Sequence, residues 1–169
     1  MIARSFKKEE VTEKMFKQIK MVDAAKKSWR VRYSLVECLV AISPYLEKDI
    51  IKKDVVESFE ELLKDQESEV RAISVIKLPE ITEKLGKQQA WNLFFQYIEK
   101  ASKDGTKDTV PTVKLALVEA IIPYFRTVDK ANVIEQGIPI LQGLLKDESH
   151  TIRIGVMQRV MELSELVGS

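Results

Sequence analysis

The chain of 169 residues is 45% apolar and 31% charged, a composition typical of a folded globular domain and not of a disordered chain. Its 27 lysines and arginines nearly balance its 26 acidic residues, and the two signs alternate along the sequence, so the one-sided basic surface of a nucleic-acid-binding protein is not expected. No segment approaches the run of about 18 apolar residues that marks a membrane span, and the N-terminus lacks the apolar core of a signal peptide, so neither membrane insertion nor secretion is expected.

Apolar residues recur at spacings of three and four in every long segment, which predicts helices throughout the chain. The predicted helices form consecutive pairs, with a short turn inside each pair except for a longer one at 103–109. In chain order the pairs are 9–26 with 29–46, 51–64 with 68–85, 88–103 with 110–126, and 131–146 with 149–167. The pattern therefore predicts an all-α fold of four two-helix units.

Serines and glycines mark the expected ends of the second helices. Ser28, Ser68 and Ser149 are predicted N-caps, because a serine oxygen can accept the unpaired amide hydrogens of a first helical turn. Gly86 and Gly168 lie where second helices should end in the left-handed conformation that glycine favours.

The sequence matches itself when it is shifted by 82 positions: Leu-Leu-Lys-Asp at 62–65 recurs at 144–147. The basic residues that close the shared motif are Arg32, Arg71, Lys114 and Arg153. Their steps of 39, 43 and 39 residues define a unit of about 41 residues. Periods of roughly 40 to 47 residues built from helix pairs are typical of HEAT and armadillo repeats, which stack into an extended superhelix.

No arrangement typical of catalysis or metal binding is present in the sequence. His150 is the sole histidine and is expected to be a solvated turn residue, so the paired imidazoles of a zinc helix are missing. Cys38 is the sole cysteine, which excludes an internal disulfide, fits a cytoplasmic or also nuclear location, and predicts inert packing in the core. We therefore expect a protein without enzymatic activity, cofactor or metal ion.

Aspartate stands six residues before the basic residue in three of the four units, and Lys26 replaces it in the first. An aspartate that ends a first helix and a basic residue in the first turn of the second helix lie at the same edge of a stack. We therefore expect a charged ladder that links neighbouring units and specifies their register. Its members are Arg32, Asp65, Arg71, Asp108, Lys114, Asp147 and Arg153.

The Asp-x-x-x-x-Val-Arg element is typical of HEAT repeats, and the segments 28–33 and 62–72 resemble the scaffolding A subunits of the type-2A serine/threonine protein phosphatases. The resemblance covers residues 10–168, with departures at Lys26, Lys114 and the long third turn. It implies a right-handed α-α superhelix of four HEAT repeats within one array over 1–169, expected to be a fragment of a longer array. The implied repeats span about 9–46, 51–86, 88–126 and 131–168.

In that family, the turns inside the repeats form a ridge that holds a catalytic subunit toward one end and a regulatory subunit toward the other. The resemblance implies that this chain is a non-catalytic scaffold for these two partners, with regulatory-subunit contact favoured for these repeats. The ridge residues that it implies are Lys27, Trp29, Arg30, Gln66, Glu67, Glu69, Lys107, Thr109, Glu148 and His150. Trp29 fits two roles equally well, an interface anchor or a cap over the core of the next repeat.

Two alternatives remain open at this point. Another HEAT-type adaptor, such as a transport receptor or a coat adaptor, would bind linear peptides in its groove. A HEAT-like DNA glycosylase would need a basic concave face with an acidic residue inside it. In each case, an array without terminal caps exposes helix faces at both ends, which predicts end-to-end self-association.

Overall fold

The computed structural model describes residues 28–102 and 110–168, and all regular structure in these two segments is helical. In chain order the helices are α1 (Trp29–Ile42), α2 (48–62), α3 (Ser68–Thr82), α4 (Lys87–Ser102), α5 (Pro111–Phe125), α6 (130–144) and α7 (His150–Gly168). The all-helical class is confirmed for the described residues, and each predicted helix within them agrees to within four residues at either end. The predicted helix 9–26 lies outside the described residues.

The helices form two rows. The second helices of the predicted pairs, α1, α3, α5 and α7, pack on one another in that order. The first helices lie beside them, with α2 against α3, α4 against α5, and α6 against α7, and α4 also contacts α6. Helix α5 has neighbours in both rows, so most of its circumference is apolar and buried. One continuous hydrophobic core runs between the rows.

The 82-residue shift of the sequence is also a shift of the structure. Helix α1 corresponds to α5, α2 to α6, and α3 to α7. Even a local irregularity recurs, because Ile51–Val55 in α2 and Val133–Gly137 in α6 each form a π-helical turn. Single π-helical turns inside helices are rare, so their recurrence at the same offset shows that the two halves share backbone geometry in detail.

One core contact shows opposite size choices in the two halves. Gly137 in α6 lies so close to the Phe125 ring that an added Cβ would be 2.6 Å from its Cζ atom. Eighty-two positions earlier, the equivalent residues are Val55 and Ser43, and all four positions are buried. The large ring of Phe125 is therefore accommodated by a glycine, whereas in the first half of the repeat the small Ser43 is matched with the larger Val55.

The predictions for Gly86, Gly168 and Cys38 were wrong. Gly86 is not a left-handed helix end: its backbone oxygen accepts a hydrogen bond of 2.9 Å from the Ala90 amide, so it directly precedes α4, whereas α3 already ends at Thr82. Gly168 is the last described residue of α7, and its backbone is not left-handed either. Cys38 is exposed, not buried in the core. The equivalent residue 82 positions later, Ala120, is buried because α5 lies between two helices of its own row, α3 and α7. Among the described residues, α1 has only α3 beside it in that row.

The close contact between Gly137 and Phe125 can be tested by replacing these residues with their equivalents from the first half, Val55 and Ser43. We expect Gly137→Val to lower the free energy of unfolding by about 1–3 kcal/mol, because the added methyl groups overlap the Phe125 ring. Adding Phe125→Ser makes room, so the double variant should be more stable than the sum of the two single effects predicts. Urea unfolding of the four proteins measures this coupling.

Gly143→Ala is the matched control, because a Cβ at that position meets no heavy atom within 4 Å. It should leave stability unchanged or raise it by up to about 1 kcal/mol, as expected for replacing a helical glycine. Purely additive effects of Gly137→Val and Phe125→Ser would contradict the proposed complementarity.

Candidate functional site

The turn between α2 and α3 is organised around the carboxylate of Asp65. Arg32, at the start of α1, donates from Nε to Oδ2 at 2.5 Å and from Nη2 to Oδ1 at 2.8 Å. The Glu67 amide donates to Oδ1 at 2.9 Å, a local turn that aspartate side chains often form. Arg71 Nη1 donates to the backbone oxygens of Asp65 and Gln66 at 2.7 and 2.9 Å. One carboxylate and two guanidinium groups thus tie the turn to two helices.

The turn between α6 and α7 repeats these contacts 82 residues later. Lys114, at the start of α5, places Nζ 2.6 Å from Asp147 Oδ2. The Ser149 amide donates to Asp147 Oδ1 at 2.9 Å. Arg153 Nη1 donates to the backbone oxygens of Asp147 and Glu148 at 2.7 and 2.8 Å. Both turns therefore have the same hydrogen-bond design, with lysine in place of arginine in the second.

Aspartate side chains organise the turns before α3 and α7, where serine caps were predicted. Ser28 makes no capping hydrogen bond with its side chain. Ser68 is already the first residue of α3, and its hydroxyl lies 3.0 Å from Glu69 Oε2. The backbone amide of Ser149 donates a hydrogen bond to Asp147 Oδ1. The predicted side-chain caps were therefore wrong at Ser28 and Ser68. Before α3 and α7, the carboxylates of Asp65 and Asp147 accept hydrogen bonds from turn amides.

The environment of both aspartates favours their charged form. Burial raises the pKa of Asp65, but the hydrogen bonds from Arg32 and the Glu67 amide and the charges of Arg32 and Arg71 more than offset this, so its pKa lies below the ordinary value. Burial likewise raises the pKa of Asp147, and Lys114, the Ser149 amide and Arg153 lower it below the ordinary value. Both carboxylate side chains are only 7% exposed.

The starts of the second helices lie on one side of the molecule. The Arg32–Asp65 pair joins the start of α1 to that of α3, and the Lys114–Asp147 pair joins the start of α5 to that of α7. Thr127 Oγ1 and Thr82 Oγ1 are hydrogen-bonded at 2.8 Å, so α3 and α5 also end side by side. We call the side where these helices start the turn edge; in the described residues it comprises 28–32, 63–71, 110–114 and 145–153.

Most of the predicted ridge residues that the structure describes are exposed on the turn edge. These are Arg30, Gln66, Glu67, Glu69, Glu148 and His150. Lys27, Lys107, Asp108 and Thr109 lie outside the described residues. The exposed charged groups on the turn edge are of both signs: Glu67, Glu69 and Glu148 are acidic, and Arg30, Lys64 and Lys146 are basic. The guanidinium groups of Arg71 and Arg153 are directed at backbone oxygens of the turns.

Trp29 combines features of both predicted roles. Its ring is half-buried and packs against the hydrophobic core. The exposed Arg30 guanidinium carbon lies 4.6 Å from the centre of that ring, a cation–π contact. Part of the indole therefore packs against the core, and its ring also contacts the Arg30 guanidinium on the turn edge.

Sequence reasoning missed one further link between first helices. Lys64 Nζ, at the end of α2, lies 5.5 Å from the centre of the Tyr97 ring in α4. The two residues are 33 positions apart, the same separation as in the Arg32–Asp65 and Lys114–Asp147 pairs. This 33-residue spacing is the feature of the sequence that could have predicted the Lys64–Tyr97 contact, because the same spacing separates the partners of the two ion pairs that join consecutive units.

Within residues 28–102 and 110–168, no group of three or more His, Cys, Asp or Glu side chains is placed to hold a metal ion. In the same part of the chain, no helix combines the length and the apolar character needed to cross a membrane.

Paired helices, a shared 82-residue shift and a recurring Asp-centred turn place the described residues in the class of helical-repeat structures. No model of a known protein family matches the sequence. The beta isoform of the human 65 kDa regulatory A subunit of serine/threonine-protein phosphatase 2A is 31% identical to it over 117 residues. This match covers 69% of the chain and 20% of the human protein, so the chain spans about one fifth of the length of that relative. The distant homology supports a relationship at the level of HEAT-type repeats.

Removing the Asp65 charge should show how much the turn depends on it. We expect Asp65→Asn to lower the free energy of unfolding by about 3 kcal/mol at neutral pH, since Arg32 then loses its charged partner in a largely buried site. A carboxylate whose pKa is depressed by folding contributes stability above its unfolded pKa of about 3.9 and loses that contribution as pH falls through its folded pKa. The variant should therefore lose less stability than the wild type between neutral pH and acid.

The exposed neighbour Glu67 supplies the control, as Glu67→Gln removes a charge two residues away and keeps the Arg32 and backbone-amide hydrogen bonds of the Asp65 carboxylate. Its stability should stay within about 0.5 kcal/mol of the wild type. Denaturant titrations over a pH series measure both effects. If Asp65→Asn and Glu67→Gln behaved alike, the carboxylate would not have the structural role assigned to it.

Proposed function

We propose that this chain is a non-catalytic scaffold that holds the catalytic and regulatory subunits of a type-2A protein phosphatase through the turns inside its repeats. It would form four HEAT repeats, at about 9–46, 51–86, 88–126 and 131–168, in a right-handed superhelix that belongs to a longer array. The observation that carries the proposal is the Asp-centred turn, which occurs with the same contacts at Asp65 and Asp147 on one edge. The similarity to the human phosphatase 2A regulatory protein supports the choice of partners.

The ladder gives such a scaffold a rigid docking surface. Arg32 belongs to one unit and Asp65 to the next, so their forked contact positions one turn relative to its neighbour. The exposed residues of successive turns are thereby held at defined separations before any partner arrives. Pre-organisation of this kind lowers the conformational entropy lost on binding and favours affinity.

The charge of the turn edge indicates what kind of surface it would meet. Glu67, Glu69 and Glu148 are exposed there, and so are Arg30, Lys64 and Lys146. An edge with both signs of charge favours a partner surface that places opposite charges against these positions and disfavours one that places like charges there. Such complementarity acts mainly on the association rate and makes it sensitive to salt.

Capture of purified phosphatase subunits by the full-length gene product tests the proposal. The wild type should bind a type-2A catalytic or regulatory subunit, and Glu67→Lys combined with Glu69→Lys should weaken that binding roughly tenfold or more, because two exposed carboxylates on the turn edge reverse their charge. Surface plasmon resonance at several salt concentrations would show the loss mainly in the association rate. Trp29→Ala is less informative, since the half-buried ring also contributes to the core.

Glu80→Lys combined with Glu83→Lys is the matched control. It makes the same change in net charge at the opposite end of α3, away from the turn edge. This variant should bind the subunits within about twofold of the wild type, as expected for charges outside an interface. The proposal fails if the wild type captures neither subunit, or if the two double variants lose affinity equally.

A further inference from the structure

A cleft of about 450 Å³ lies at the ends of α3 and α5, opposite the turn edge where both helices start. Its apolar lining consists of Pro79, Leu85 and Pro123. Helices α3 and α5 are the two inner members of their row, with α1 and α7 packed on their outer sides. Further repeats at either end of the array would therefore leave this cleft open.

Two prolines and two threonines shape the cleft. Pro79 lies in the last turn of α3 and Pro123 in the last turn of α5, where each ring replaces an amide donor and crowds the preceding turn. Thr82 Oγ1 and Thr127 Oγ1 are hydrogen-bonded at 2.8 Å, which ties the two helix ends together. Thr127 Oγ1 is also hydrogen-bonded to the Tyr124 backbone oxygen at 2.7 Å. The walls are therefore in position before any partner binds, as is usual for binding sites.

The proline pair distinguishes this joint from the two other joints of the row that the structure describes. Pro79 is eight residues after Arg71, the basic residue of its repeat motif, and Pro123 is nine residues after Lys114. The residues at the equivalent positions are Val40 and Glu80 where α1 meets α3, and Ile122 and Glu162 where α5 meets α7. Stacking of the helices therefore does not require prolines here, and their presence indicates a use that is specific to the joint between α3 and α5.

Charged side chains of opposite sign reach the cleft from different helices. Glu80 and Glu83 are exposed on α3, whereas the exposed Lys87 starts α4 and the exposed Arg126 follows α5. Glu80 and Arg126 already have ion-pair partners within the chain. Glu83 and Lys87 form no ion pair with any residue that the structure describes. One carboxylate and one ammonium group at the cleft are therefore available to a partner.

The shape of the cleft indicates which class of ligand it takes. Its charged groups are exposed at the rim, whereas sites for small molecules bury about 70–90% of the ligand surface. A segment of another protein can place one side chain in the cleft and cover the rim with the residues on either side. The cleft therefore fits a peptide segment better than a small molecule.

We propose that this cleft binds an extended segment of another protein, with an aliphatic side chain between Pro79 and Pro123, a basic residue at Glu83 and an acidic residue at Lys87. The aliphatic side chain displaces water from the prolines and Leu85, and the two flanking charges select the partner. The cleft and the turn edge lie at opposite ends of α3, so this partner can bind at the same time as subunits held by the turns.

Peptide titration of the isotope-labelled chain, followed by heteronuclear NMR, tests the proposal. The probe is the capped peptide Gly-Ser-Lys-Val-Glu-Ser-Gly, which has a basic, an aliphatic and an acidic residue in succession. We expect a millimolar Kd and chemical-shift changes confined to backbone amides around the cleft, such as those of Glu83, Leu85, Lys87 and Thr127. Replacing the valine of the peptide with serine should weaken binding roughly fivefold, because less apolar surface is buried against the prolines.

Reversing one charge of the cleft tests its specificity. Glu83→Lys should weaken binding of this peptide roughly fivefold and favour a peptide with Glu-Val-Glu at its centre, since the α3 wall then carries a basic group. Glu165→Lys is the matched control, because Glu165 is the exposed equivalent of Glu83 on α7 and lies outside the cleft. This control should bind the original peptide within about twofold of the wild type. Both substitutions are at exposed positions, and unchanged NMR spectra away from the substituted residue verify the fold.

The proposal is overturned if the wild type shows no shifts at millimolar peptide, if the shifts lie away from the cleft, or if Glu83→Lys and Glu165→Lys bind alike. Free valine carries both charges on one small molecule, and tighter binding of valine than of the peptide would show a small-molecule site and contradict the proposal. The outcome is independent of the proposed scaffold role. Glu80→Lys combined with Glu83→Lys should lose peptide binding while it retains capture of the phosphatase subunits.

Discussion

The rest of the structure depends on a buried carboxylate at the turn within a helix pair. Asp65 accepts hydrogen bonds from Arg32 of the preceding unit and from the Glu67 amide of its own turn. Removing such a carboxylate from water is costly, and the cost is offset only if the donors lie at the right distance and direction. A slip of one helix along its neighbour would leave two opposite charges unpaired in a largely buried site. The interaction therefore determines the register of the stack more than it adds to its stability.

The two described joints differ in how strictly they hold neighbouring units. Arg32 presents two nitrogens of a planar fork to Asp65, which restrains both separation and orientation. Lys114 presents an ammonium group to Asp147 at 2.6 Å, and an ammonium group acts as a point charge that restrains separation but not orientation. The Asp147 joint should therefore allow more rotation between units. Flexibility along such an array is then adjusted residue by residue, without a change in its overall design.

The sequence predicts the helices and the paired turns well because both depend on short-range patterns. Apolar spacing marks each helix, and an aspartate six residues before an arginine marks the turns at Asp65 and Asp147. Predictions failed where a residue's role depends on its neighbours in space. Cys38 lies on an apolar row, yet nothing in the described residues covers it, and Gly86 directly precedes α4 because α3 has already ended. The side-chain caps predicted at Ser28 and Ser68 are not formed, and before α3 and α7 the carboxylates of Asp65 and Asp147 bond the turn amides of Glu67 and Ser149.

The two halves of the 82-residue repeat are alike in their turns and differ in the side chains on their helices. Where α3 carries Ala72 and Val75 on the side that faces α5, α7 carries the larger and exposed Ile154 and Met157. The turn contacts depend on residues within one turn and on one charged partner, so they can recur unchanged in each unit. The helix side chains depend on what packs against each helix, so they vary with the surroundings of the unit.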